Sequence, residues 1–135
     1  MKIEIGSIAL LALAAVLSGC TGAQKLSASS TIPAAEGHLD CGKAANDNTS
    51  VDLKVKHLAN PERLTPPAST YVVWIRTDKT AIPQNIGALT VDNDLTGRLK
   101  TVTPQRHFEL FLTAEASGQV ETPTGEELMW ANCNR

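Results

Sequence analysis

The chain is 135 residues long, carries a formal net charge of −2 and is 42% hydrophobic. This length suits one domain with a substantial hydrophobic core. The charge is close to neutral and there is no run of basic residues, so the sequence lacks the positive charge typical of nucleic-acid-binding proteins. No segment recurs at the period of a solenoid or propeller.

The N-terminal segment combines a basic start with a short apolar run. Lys2 precedes a stretch rich in Ile, Leu, Ala and Val that is too short to span a bilayer. The stretch closes on Leu17-Ser18-Gly19-Cys20, in which two small residues stand directly before a cysteine. No amphipathic period runs through the segment, which disfavours the alternative of a buried helix ending at a buried cysteine.

This segment resembles the type II signal peptides of bacterial lipoproteins. The resemblance implies that residues 1–19 are removed and that Cys20, as the new N-terminus, carries acyl chains that anchor the protein in the membrane. Several chains hold such an anchor firmly, since each buried methylene contributes roughly 0.8 kcal/mol. By the same resemblance the protein belongs to the cell envelope and faces the periplasm, and Thr21 in place of Asp favours the outer over the inner membrane.

Cysteine use agrees with an envelope location. With Cys20 assigned to lipid, Cys41 and Cys133 remain. Two thiols in an oxidising compartment favour a disulfide over the alternative of two unpaired, buried thiols. A bridge across so long a loop would be worth roughly 4–5 kcal/mol in the chain-entropy model.

After the signal segment, the composition predicts a flexible tether followed by a folded domain. Residues 20–37 are mostly small or polar, so they offer little apolar surface to offset the entropy of ordering. We therefore expect the lipidated cysteine and its tether at 20–37 and a single β-sandwich domain at 38–135.

Hydrophobic periodicity in the domain is that of β-strands. Val51, Leu53 and Val55 alternate with charged residues, which indicates a half-buried strand. Further strands are predicted at 71–75, 86–91, 99–102, 107–114 and 126–133, with 86–91 and 99–102 forming a hairpin. Short strands separated by frequent turns predict an all-β fold, a single antiparallel sandwich of about 6–8 strands.

The stretch Tyr71–Ile75 is apolar on both faces, so it should be covered on both. We expect Val73 to face the core and Trp74 to lie beneath the Pro-rich segment Leu58–Ser69, its indole N–H bonded to a backbone carbonyl or to water. The last strand is expected to carry Leu128 and Trp130 on one face. Both tryptophans are predicted to pack inside the fold rather than to form a sugar-stacking platform.

Several strand and turn residues occur in the order seen in the extracytoplasmic C-terminal domain of anti-sigma-K factors. They are Tyr71-Val72-Val73-Trp74, Pro83, Ile86-Gly87, Leu95, Gly97, Phe108, Leu110, Thr113, Glu115 and Pro123-Thr124-Gly125. The chain resembles this family over roughly residues 70–125, and the resemblance implies an immunoglobulin-like β-sandwich outside the cytoplasmic membrane. It does not imply sigma-factor inhibition, because the sequence shows no sigma-binding domain or transmembrane helix, and a shared fold is weak evidence of shared function.

Candidate metal ligands are few. His57, His107 and Met129 are the residue types of a copper site on a sandwich scaffold. Copper-protein spacing would place a histidine soon after the C-terminal cysteine, and none follows Cys133, so we predict no metal site.

The segment Asp92–Gly97 begins like a calcium-binding loop. The bidentate glutamate expected at the twelfth position of such a loop is replaced by Thr103. A hairpin turn is therefore the favoured interpretation of this segment.

The sequence carries no Gly-x-Ser-x-Gly elbow, Cys-x-x-Cys pair, His-Glu-x-x-His motif or Gly-rich phosphate loop. We therefore predict neither an enzyme nor a cofactor. The expected function is that of a non-catalytic, lipid-anchored envelope lipoprotein that binds an envelope protein or a cell-wall partner. The alternative is a small-molecule or copper-type metal carrier on the same scaffold.

Overall fold

The computed structural model describes residues 23–135, so the predicted signal peptide at 1–19 and the predicted lipidation site at Cys20 lie outside the described residues. The strands are β1 Gln24–Lys25, β2 Ser27–Ala28, β3 Glu36–Lys43, β4 Thr49–Lys56, β5 Thr70–Arg76, β6 Gln84–Ala88, β7 Thr90–Val91, β8 Gly97–Thr103, β9 His107–Glu115 and β10 Met129–Asn134. Two 3-10 turns lie at Ala45–Asp47 and Pro61–Arg63. These two turns are the helical elements of residues 23–135, and neither is long enough to cross a membrane.

The strands form two antiparallel sheets that pack as a sandwich. Sheet 1 has the order β1-β3-β4-β8-β7, and sheet 2 has the order β2-β10-β9-β5-β6. Apart from the two-residue strands β1 and β2, this order matches the two sheets of immunoglobulin-like domains, with β3 to β10 in the places of their strands A, B, C, C′, D, E, F and G. The predicted fold class is confirmed.

The main core lies between the two sheets, and alternation along each strand decides which side chains enter it. In β4, Val51, Leu53 and Val55 are at most 1% exposed, as their period of two predicts. In β5, Tyr71 and Val73 belong to the same buried cluster, which confirms that the Val73 face points inward. The facing residues from β3, β9 and β10 are Leu39, Phe108, Leu110, Leu112 and Met129.

A disulfide joins the two sheets. Cys41 in β3 is bonded to Cys133 in β10, and their Cα atoms are 6.2 Å apart. The bridge therefore links the first and last long strands of the sandwich, whereas antibody domains bridge their second and sixth strands. The cysteine pair predicted from the sequence is the pair that the structure brings together.

The prediction of a flexible tether up to residue 37 is wrong from Gln24 onward. β1 pairs with β3, and β2 pairs with β10. Between these two strands Leu26 is only 4% exposed, and its N–H donates to the carbonyl of Gly37 at 2.8 Å. A Cβ at Gly37 would lie 3.1 Å from that of Leu26, so glycine permits this approach. Ile32 and Ala35 are buried in the same core, so three well-placed apolar residues suffice here because strand pairing satisfies the backbone.

The predicted hairpin between 86–91 and 99–102 is present only in part. β7 pairs with β8, but β6 lies in the other sheet, beside β5. The chain crosses between the sheets at Leu89, which is 5% exposed and whose N–H donates to the carbonyl of Tyr71 at 2.9 Å. The crossing could not be predicted from the sequence, because Leu89 continues the apolar pattern of a single strand.

Trp74 is fully buried, but the segment that covers it is not the predicted one. It belongs to a small second cluster on the outer face of sheet 2, with Val72 and Phe111, and Val120 packs against this cluster. Val120 lies in the β9–β10 connection, not in the Pro-rich segment. The indole N–H donates to the hydroxyl of Thr113 at 2.8 Å rather than to a backbone carbonyl or water.

The Pro-rich segment Leu58–Ser69 instead contacts the beginning of β5. The hydroxyl of Tyr71 donates to the carbonyl of Ala59 at 2.6 Å. Burial raises the pKa of Tyr71 to about 12, so this phenol stays a hydrogen-bond donor throughout the physiological range.

Candidate functional site

The outward face of β10 carries the one exposed tryptophan among residues 23–135. Trp130 is 36% exposed, whereas Trp74 is fully buried. The sequence predicts that Trp130 packs inside the fold, on the same face as Leu128. That prediction is wrong, because Trp130 faces outward from β10, whereas Leu128 is buried just before β10 begins. The inward residues of β10 are Met129, Ala131 and Cys133.

The strand register sets polar side chains beside this ring. Asn132 and Asn134 follow Trp130 on the same face of β10, and Glu109 and His107 of β9 lie directly opposite them. Alternate residues of a strand are about 6.8 Å apart, so Trp130 to Asn134 spans roughly 14 Å. We call these five residues, Trp130, Asn132, Asn134, Glu109 and His107, the Trp130 face.

A charged cluster holds Glu109 in place at the middle of this face. The guanidinium of Arg76 contacts Glu109 Oε1 and donates to Glu127 at 2.6 and 3.0 Å. It also lies over the ring of Phe111, with Cζ 4.4 Å from the ring centroid. Lys79 Nζ lies 2.7 Å from the same Glu109 oxygen. Because these contacts converge on Oε1, Oε2 is available to accept a further hydrogen bond.

The electrostatics of the cluster keep Glu109 ionised. Burial alone would raise the pKa of Glu109, but hydrogen bonds from Lys79 and Arg76, together with their charges, outweigh it and lower that pKa below its ordinary value. Two cations, Arg76 and Lys79, are matched by two carboxylates, Glu109 and Glu127. The cluster therefore adds no net charge to the Trp130 face.

A cavity of about 340 Å³ opens at the Asn134 end of this face. Polar groups of Lys79, His107, Glu109, Asn132 and Asn134 line it, together with Asp78 and the apolar Phe108. Asparagine amides both donate and accept hydrogen bonds, while the ionised carboxylate only accepts. The cavity thus offers donors and acceptors side by side.

A buried hydrogen-bond network fixes the connection that covers the rest of this sheet face. The indole N–H of Trp74 donates to Thr113, whose hydroxyl donates to Glu115 Oε1 at 2.7 Å. Glu115 also accepts from the N–H groups of Thr124 and Gly125 at 2.9 and 3.3 Å. Burial alone would raise the pKa of Glu115, but these hydrogen bonds outweigh it and lower that pKa. The connection is therefore tied down over β5 and β9.

The candidate metal ligands do not come together. His57 follows β4 in sheet 1, whereas His107 begins β9 in sheet 2. Met129 is fully buried and lies opposite Leu112, toward the far end of β9 from His107. Within the part of the chain that the structure describes, no group of three or more His, Cys, Asp or Glu residues could hold a metal ion.

The carboxylate of Asp92 accepts hydrogen bonds from the backbone of its own turn. Its Oδ1 accepts from the N–H groups of Asp94 and Thr96 at 2.9 and 3.0 Å. Leu95 takes a left-handed conformation, with φ of 58°, which helps the chain reverse. The segment is thus the turn between β7 and β8, as the sequence favours.

No protein-family model and no curated protein matches the chain. Its function is therefore inferred from its own residues.

Proposed function

We propose that this protein is a non-catalytic binding module, held at the cell envelope by a lipid on Cys20, and that the Trp130 face is its binding surface. The observation that carries the proposal is the exposed indole. The sequence has five aromatic residues, and the other four are at most 3% exposed. They are Tyr71, Trp74, Phe108 and Phe111. A large ring left partly exposed beside polar side chains is typical of a recognition surface, where tryptophan is enriched.

The position of the N-terminus supports this assignment. Trp130 pairs with Ser27 of β2, and Cys20 lies seven residues before Ser27 in the sequence. Seven residues span at most about 25 Å even when fully extended. A lipid on Cys20 would therefore keep the Trp130 face close to the membrane surface, within reach of envelope components.

A copper-type carrier has less support, because Met129 is a core residue and the two candidate histidines belong to different sheets. A binding module needs only a stable scaffold with a shaped surface, and the disulfide-bridged sandwich supplies one.

Photo-crosslinking of the intact lipoprotein in its native envelope tests the proposal. Asn132 is replaced by a diazirine-bearing residue, which inserts into C–H and O–H bonds and so reports glycans as well as proteins. We expect crosslinks to an envelope component from position 132. The matched control is position 100 on the outer face of sheet 1, where the Lys100 side chain is 80% exposed. No labelling from position 132, or equal labelling from both positions, would contradict the proposal.

A further inference from the structure

Resting on the proposed function, we propose that the ligand of the Trp130 face is a carbohydrate, an oligosaccharide of β-linked pyranose rings. One ring stacks on Trp130, and its neighbours hydrogen-bond to Asn132, Asn134 and Glu109. The assignment follows from the mixture of surfaces on this face, from its charge balance and from its length.

The combination of one exposed aromatic ring with polar side chains favours a sugar over a protein as the ligand. Three large apolar side chains are exposed in the described part of the chain, and they are dispersed: Ile82 in the β5–β6 connection, Val102 in sheet 1 and Trp130 in sheet 2. Trp130 therefore stands alone instead of belonging to the contiguous apolar patch that marks a protein interface. Trp130 lies between the buried Phe111 of β9 and Ser27 of β2, with Asn132 next along its own strand. One exposed ring with polar groups on two sides complements a pyranose, which presents C–H groups on one face and hydroxyls around its rim.

The polar groups are those that hydroxyls and acetamido groups require. The amides of Asn132 and Asn134 can each donate and accept, which suits vicinal hydroxyls. Glu109 is held by Arg76 and Lys79 through one oxygen, so the other can accept from a hydroxyl without moving the side chain. This anchoring reduces the entropy lost when the ligand binds.

The charges of this face disfavour an anionic ligand. Arg76 and Lys79 are already paired with Glu109 and Glu127, and Asp78 adds a further carboxylate to the cavity. A phosphate or carboxylate ligand would have to compete with those carboxylates for its cations. A neutral polyhydroxylated chain has no such competition.

The dimensions favour several linked rings. The indole lies at one end of a strip that is roughly 14 Å long, and the cavity of about 340 Å³ extends from Asn132 to the other end. A single ring cannot contact both ends of the strip. A short oligosaccharide can stack at Trp130 while its chain continues past Asn132 into the cavity. The strip follows the straight course of β10, and rings joined by β-1,4 links form an extended chain that can follow it.

Titration of the lipidated protein in detergent micelles with chitotetraose and with cellotetraose tests the assignment. Trp74 is buried, so a ligand-induced change in tryptophan emission reports Trp130. We expect an emission change with at least one of these two tetrasaccharides. By calorimetry, Trp130→Ala and Asn132→Ala should each weaken affinity at least about tenfold, while Val102→Ala on the opposite sheet leaves it unchanged.

Absence of binding to both tetrasaccharides, or unchanged affinity in both variants, overturns the carbohydrate assignment. Asn132→Ala keeps the test valid if Trp130→Ala folds poorly. Crosslinking from position 132 to a protein, combined with no tetrasaccharide binding, overturns this inference and leaves the proposed binding module standing. Loss of both signals overturns both.

Discussion

Glu115 accepts hydrogen bonds from both the backbone N–H and the hydroxyl of Thr124, although its side chain is almost completely buried. The pair joins the end of β9 to a residue nine positions later in the chain. It thereby holds the β9–β10 connection, whose Val120 packs against the cluster around Trp74, while Trp130 lies in β10 on the other side of β9 and stays 36% exposed. A buried carboxylate thus anchors the segment that covers Trp74.

Replacing Glu115 with Gln should lower the free energy of unfolding by about 2–3 kcal/mol. The amide oxygen can take the place of Oε1, but the NH₂ group would then replace Oε2, to which the hydroxyl of Thr124 donates, and the charge that strengthens the other hydrogen bonds is lost. Urea titration at neutral pH measures the change. The control is Glu121→Gln in the same connection, where the side chain is exposed and stability should stay within about 0.5 kcal/mol. Equal stability of the two variants would show that the network is not needed.

Stability should also fall in acid, partly through Glu115. Its folded-state pKa lies below the ordinary value of 4.5, so the ionised side chain stabilises the fold above that pH. This contribution is lost as the pH falls through the lower folded-state pKa, because protonation removes the acceptor charge. Glu109 acts in the same direction. Urea titrations from about pH 6 to pH 3 should therefore show a shallower decline for Glu115→Gln than for the unmodified protein; parallel declines would disprove this origin.

The two tryptophans should respond differently to truncation. Trp74→Ala removes a fully buried ring and its hydrogen bond to Thr113, so it should cost about 3–5 kcal/mol. Trp130→Ala removes a partly exposed ring and should cost about 1 kcal/mol or less. Denaturant titration of both variants compares them directly. A large cost for Trp130→Ala would mean that the ring is structural and would weaken the binding proposal.

The sandwich could be predicted because its central strands obey simple alternation. Val51, Leu53 and Val55 show period two, and the stretch Tyr71–Ile75 is apolar on both faces, as a doubly covered strand should be. The edge strands could not be predicted in the same way. Leu26 and Ile32 are isolated apolar residues in a mostly polar segment, and the burial of Leu26 depends on a tertiary approach to Gly37 that no local pattern reveals.

The exposure of Trp130 could have been deduced from the cysteines. A disulfide between the sheets requires Cys133 to face inward, and residues an odd number of positions apart on a strand face opposite ways. Trp130, three residues before Cys133, must then face outward. Leu128 obscured this signal because it is buried ahead of the strand. The role of Glu115 had no such signal, since buried carboxylates are rare and two of its three partners, Thr124 and Gly125, lie outside the strand.

Replacing Cys20 with Ala should leave an uncut precursor and abolish labelling by radioactive fatty acid. The expectation comes from Leu17-Ser18-Gly19-Cys20, where the cysteine supplies both the acylated sulfur and the new N-terminus. Gel mobility and acyl labelling in cells measure processing. Cys41→Ser is the matched control, because it removes a thiol without touching the motif and should be cut and labelled normally. Normal cleavage and labelling of Cys20→Ala would refute the lipid anchor.

The disulfide should account for a large share of the stability. It closes a loop between residues 92 positions apart, so its loss enlarges the conformational freedom of the unfolded chain, and reduction should lower the free energy of unfolding by about 4 kcal/mol. The lipidated protein, unfolded without reductant, should show no free thiol, and reduction should release those of Cys41 and Cys133. The Cys41→Ser/Cys133→Ser double variant should match the reduced protein in urea titrations and should no longer respond to reductant. Free thiols before reduction, or a double variant as stable as the oxidised protein, would show that the bridge does not hold the two sheets together in solution.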